Sequence, residues 1–159
     1  MRLIGTSVGW QQTGPMFNNW IRRNFEIKSL EDFKESSSGI AILGESEETG
    51  KSYLTEDLNQ RVGKRPDLIA KVDNKVVIGE AKWIGQSGGN QYKSVAEVLN
   101  FCGKQRGSIY RIGIVDGYPW VTKKSERITN DRICVEVQES TYNIMSALLL
   151  EDYFKELLG

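Results

Sequence analysis

The sequence predicts an α/β fold, a mixed central β-sheet of about four to five strands flanked by helices. Three observations carry this. Residues 67–84 alternate as a β-hairpin around Asp73-Asn74. A helical stretch near 95–102 is followed by a strand-like run at 109–115. The chain then closes on a long amphipathic segment over 141–158.

Residues 15–28 read as the first helix, because Pro15 suits a first turn and Phe17, Trp20, Ile21 and Phe25 fall at helical spacing. Residues 36–52 read as loop around a short apolar stretch. A short helix is expected over 55–61, with Thr55 as its cap and Glu56 and Asp57 in its first turn. In the hairpin, Leu68–Val72 and Lys75–Trp83 flank the turn dipeptide. The second strand is apolar on both faces, which places it inside a sheet covered on both sides. Ser87-Gly88-Gly89-Asn90 is a loop. Val95, Val98, Leu99 and Cys102 then follow helical spacing up to Gly103. Strand, helix and strand in this order imply a parallel, right-handed crossover. Residues 133–137 read as a further strand and 141–158 as the closing helix. All of it fits one domain spanning 1–159.

Lys plus Arg and Asp plus Glu both number 21, so bulk positive charge is not the means of binding a partner. No histidine is present. Ser-His-Asp and Cys-His catalysis, HExxH metalloproteases and Cys/His zinc fingers are thereby excluded. Chemistry falls to carboxylates, lysines, tyrosines, hydroxyls or a bound metal. Cys102 and Cys134 lie apart in apolar contexts and read as reduced core thiols. No apolar run nears the ~20 residues of a membrane span. No charged-then-apolar leader opens the sequence, so a soluble, cytoplasmic protein with no membrane partner is expected.

The hairpin register concentrates the chemistry. With Asp73 and Asn74 as the turn, Val72 faces Lys75, and continuing the ladder sets Asp67 across from Glu80. Glu80 and Lys82 share a face. Like charges roughly 4.5–5.5 Å apart at Cβ are destabilising. A hard divalent cation accounts for them, since two carboxylates plus waters suit Mg²⁺. Lys82 is then placed to position or deprotonate a water, or to stabilise charge developing on a phosphate.

Pro66-Asp67 followed by Glu80-Ala81-Lys82 resembles the signature of the PD-(D/E)XK nuclease superfamily. The surrounding residues 64–70 and 78–83 resemble type II restriction endonucleases. Gly88-Gly89-Asn90-Gln91 is similar to a GGHQ-like segment of some of those enzymes, with Asn90 in place of histidine. Thr13–Phe17 and Asp116–Trp120 are similar more loosely. The resemblance implies a restriction-endonuclease-like core and Mg²⁺-dependent hydrolysis of DNA to 5′-phosphate and 3′-hydroxyl ends. It implies Asp67, Glu80 and the Ala81 carbonyl as metal ligands and Lys82 serving the attacking water. Many relatives add an upstream acid, and Glu45, Glu47, Glu48 and Glu56 are the candidates here. Gln91 either reaches the site or the scissile phosphate, or starts a helix.

Gly50-Lys51-Ser52 misses the P-loop spacing, with Thr49 where glycine is needed, and Glu45, Glu47 and Glu48 would repel phosphates. Lys104, Arg106, Arg111, Lys123, Lys124, Arg127 and Arg132 are either a solvated face or contacts to DNA phosphates. Trp120 reads as a lid on the core, and the apolar stripe from Ile144 to Leu158 as packing on the sheet; both are also candidate interface surfaces. The expected function is a type II restriction endonuclease or its catalytic subunit acting on double-stranded DNA. A repair or structure-selective nuclease and a non-catalytic DNA-binding module are the alternatives. Cutting both strands calls for a homodimer, or for a heteromer with a separate specificity chain.

Overall fold

The computed structural model describes residues 15–120 and 131–159. Six strands form one mixed sheet in the order β1-β2-β3-β4-β5-β6. They are β1 (Ile27–Lys28), β2 (Ile40–Leu43), β3 (Leu68–Val72), β4 (Lys75–Ile84), β5 (Tyr110–Gly117) and β6 (Ile144–Met145). The helices are α1 (Pro15–Asn24), α2 (Leu30–Glu35), α3 (Glu47–Ser52), α4 (Asn90–Gly103), α5 (Arg132–Gln138) and α6 (Leu150–Leu157). The sheet exceeds the expected four or five strands because β1 and β6 are two residues each. Neither is long enough to show a period.

The hairpin forms with the expected register, from Val72↔Lys75 down to Leu68↔Gly79. Asp73 sits in the turn at φ 52°. Its carboxylate accepts from the Gly39 amide at 2.9 Å and the Gly159 amide at 3.1 Å. These two bonds draw its pKa below the usual carboxylate range. β4 and β5 pair in parallel across the α4 connection, as strand-helix-strand requires.

The flanks depart from the sequence reading. The first helix stops at Asn24, whose side chain donates to the Trp20 carbonyl at 2.7 Å, and Ile27–Lys28 pair with Ile42–Leu43 instead. Within 36–52, Ile40–Ile42 pair with β3, and a helix begins at Glu47 with Ser46 as its cap. Thr55 is therefore no cap; it lies in a π-helical turn, Tyr53–Asp57, that continues α3. Residues 133–137 are helical, not extended. Asp131 caps that helix by accepting from the Ile133 amide at 2.9 Å, and Ile133, Cys134 and Val137 are buried together on one face. The segment 141–158 splits, because Ile144–Met145 pair with Gly113–Ile114 before a 3-10 turn and α6.

One face of the sheet is packed by Phe17, Trp20 and Ile21 of α1 and by Leu150 and Phe154 of α6, against Val77, Ala81, Ile112 and Ile114. α4 lies on the other, where Val95, Val98 and Cys102 meet Ile84 and Val115. Gly113 permits this approach, since a Cβ there would stand 2.5 Å from Val98 Cγ1. Both cysteines are free and buried. Most of the late apolar stripe packs on the sheet, and Trp120 donates to the Val115 carbonyl at 2.6 Å beside the core on the α4 face. Among the described residues no helix is long and apolar enough to cross a membrane.

Candidate active site

β4 carries the site because it is interior to the sheet and its outward positions alternate. Val76 and Ile78 are buried on the α4 face, and the next residue on that face is Glu80, only 5% exposed. A carboxylate at such a position must find cations. Lys64 Nζ lies 3.1 Å from Glu80 Oε1 and Lys82 Nζ 3.9 Å. Lys82 in turn is held by Glu97 of α4 at 2.7 Å. Burial foremost, and the charge of Asp67 next, push the Glu80 carboxyl above its usual range, while Lys64 and Lys82 pull against them. The hydrogen bond from Lys82 draws Glu97 below its usual range.

Asp67 precedes the first paired residue of β3 rather than forming a ladder rung with Glu80. Its Oδ2 accepts from the Ala81 amide at 2.8 Å, in the place a strand acceptor would take. A residue's N–H and C=O point to the same edge of a strand, so the Ala81 carbonyl points toward the Asp67 side as well. Asp67 and Glu80 thus flank one stretch of β4 and line adjoining clefts, of about 330 and 430 Å³, which meet at Pro66. Lys82 stands on the Glu80 face.

These residues fit a hard divalent cation. Two carboxylates flanking one stretch of β4, with a backbone carbonyl at the same edge, are oxygen donors of the type such ions take. Among the described residues no three acidic or thiol groups converge. Water and substrate oxygens would complete the shell.

Among the upstream acids, Glu45 lines the Asp67 cleft and accepts from the Leu30 amide at 2.9 Å through Oε1. Glu47 lines the Asp67 cleft; Glu48 and Glu56 are exposed and line neither cleft. Gln91 sits in the first turn of α4, its amide bonded to the Gly88 carbonyl at 2.9 Å, and lines neither cleft. Lys104 and Arg111 line the Glu80 cleft, whereas Arg132 pairs with Glu136 at 2.8 Å. Gly50-Lys51-Ser52 lies in α3, not in a phosphate-binding loop. Thr13, Gly14, Lys123, Lys124 and Arg127 fall outside the described residues.

Sequence reasoning missed Lys64 and Glu97 as partners of the site. Glu97 had a signal. Lys93, Glu97, Asn100 and Lys104 make a polar stripe at helical spacing, which by itself reads as a solvated face.

A family model described as Tsp45I type II restriction enzyme matches residues 7–157. No curated protein and no solved structure matches the chain.

Proposed function

The chain belongs to the Tsp45I type II restriction enzyme family, and from that premise we propose that it is a divalent-metal-dependent endonuclease, with Mg²⁺ as the metal, that hydrolyses phosphodiester bonds of double-stranded DNA in the cytoplasm. The observation that carries this reading is the buried Glu80 beside Asp67, with Lys82 on the same face of β4. Asp67, Glu80 and the Ala81 carbonyl would hold the cation. When bound, such an ion supplies Lewis-acid charge at the phosphate and water of lowered pKa. Lys82, kept in place by Glu97, orients the attacking water and sets an ammonium beside the charge that grows on the phosphate oxygens. With no histidine in the sequence, proton transfer falls to Lys82 or to water.

The test is incubation with plasmid DNA and Mg²⁺. Discrete fragments are expected from the wild type, and Asp67→Asn or Glu80→Gln should lower the cutting rate at least about a thousandfold, roughly 4 kcal/mol of barrier. Cutting by either variant at the wild-type rate would sink the assignment. One chain offers one such set of residues, and a duplex has two strands to cut. The working form is accordingly a two-fold homodimer, to be read by light scattering. A monomer that cuts only when a second chain is added would replace that with a catalytic subunit.

A further inference from the structure

The Glu80 cleft has a second charged end. Arg61, Lys104 and Arg111 line it together with Lys64, the partner of Glu80. Arg111 is in register with Ile78, so it stands on the Glu80 face, two residues from Glu80 in the direction away from Lys82. It is 5% exposed. Its guanidinium lies 4.7 Å from the centre of the Phe101 ring, and Nη1 donates to the Phe101 carbonyl at 3.3 Å. Nε is buried with no hydrogen-bond partner. None of the ion pairs among the described residues includes Arg111. The two acids of the cleft, Glu80 and Glu97, are engaged by Lys64 and Lys82.

A buried cation with no counter-charge is costly, and an anion that shares its pocket offsets the cost. Closing the end of α4 through one carbonyl uses one of five guanidinium N–H groups. It explains neither the burial of the rest nor three further cations around the same cavity. A planar guanidinium fork matches the oxygens of a phosphate. Arg111 and Glu80 are diagonal neighbours on adjacent strands, roughly 7–8 Å apart along the backbone and somewhat less at Cβ. That is about one nucleotide's length along a backbone.

We propose that the Arg61–Arg111 end of the cleft is an oxyanion subsite that takes a backbone phosphate of bound DNA, beside the phosphate cut at Glu80. The identity of the anion rests on the nuclease reading; the unpartnered Arg111 Nε does not. Lys104 supplies the solvent-side charge of the subsite and Arg111 its floor.

The experiment measures binding of a labelled mixed-sequence DNA duplex by fluorescence anisotropy, in EDTA so that nothing is cut, over a range of salt. Lys104→Gln and Arg111→Gln should each weaken binding about tenfold. Each should also make the slope of log K against log salt shallower by about 0.9, one phosphate contact. Lys155→Gln, on α6 at the other face of the sheet, should change neither. Thermal unfolding checks Arg111→Gln; Lys104→Gln, at an exposed helix end, carries the test if Arg111→Gln does not fold. Wild-type affinity and slope in Lys104→Gln would overturn the subsite. Unchanged binding in both variants with normal cutting removes the subsite and leaves the nuclease. Loss of binding in both, in a protein that cuts nothing with Mg²⁺, leaves the subsite and removes the nuclease.

Discussion

The two faces of the central sheet are built from the same strands and do opposite things. On the face covered by α1 and α6, β4 and β5 present Val77, Gly79, Ala81, Ile112 and Ile114 under a mainly aromatic and aliphatic cover, and the one carboxylate these strands place there, Asp116, is buried and accepts from the Ala147 amide. On the α4 face the same two strands present Ile78, Glu80 and Lys82 beside Arg111, Gly113 and Val115. A strand's period of two makes this possible, since each face is written by alternate residues and can be chosen independently. The dry face holds the backbone still. The charged face can then tolerate a buried carboxylate and a buried arginine.

The largest test of that division removes an anchor of the dry face. Phe154 is fully buried and meets Phe25 edge-on with centroids 5.5 Å apart. Phe154→Ala should cost about 3–5 kcal/mol in urea unfolding. A smaller loss would mean that the two faces share the load more evenly.

Gly113→Ala tests how α4 is held over the charged face. The new methyl would meet Val98 Cγ1 at 2.5 Å and Ile144 Cγ1 at 3.2 Å, so helix and β6 must yield. Overpacking of this kind costs about 1–3 kcal/mol. A variant as stable as the wild type would show that α4 shifts freely.

Glu97→Gln should separate function from stability. The pair with Lys82 is half-exposed at the Glu97 end, so its loss should cost under about 1 kcal/mol in thermal unfolding. Releasing Lys82 should nonetheless slow cutting about tenfold or more with unchanged affinity for DNA, because a misplaced reacting group is expensive. A fall in binding instead would place Glu97 in substrate contact rather than positioning.

The smallest effect is a dependence on pH. The folded Glu80 carboxyl titrates above its unfolded value of 4.5, so the folded state favours the protonated form. Stability from that form is complete below about pH 4.5 and is lost as pH rises through the folded value. Without metal, Glu80→Gln should therefore match the wild type in acid and exceed it near neutrality. The gain expected is about 2–4 °C in Tm, equivalent to roughly 1 kcal/mol. A variant less stable than the wild type at neutral pH would show that Lys64 and Lys82 outweigh burial.

Local chemistry along the chain determined the hairpin, its register, the α4 crossover and the Glu80-Lys82 face. Asp73-Asn74 pins a turn, and a period-two strand leaves no freedom once one pair is set. The same logic brought Asp67 to the neighbourhood of Glu80. Tertiary structure alone decided the rest. Short apolar runs such as Ile133–Val137 are compatible with helix or strand, and only the Asp131 cap and the face available beside α4 select the helix. Ile27–Lys28 and Ile144–Met145 become strands because an edge of the sheet stands beside them. Asp67 turns to the Ala81 amide because pairing stops at Leu68, and Glu97 meets Lys82 because Gly113 lets α4 come close. Such contacts join residues far apart in sequence, and their geometry depends on how closely whole elements approach, which no local pattern of residue types encodes.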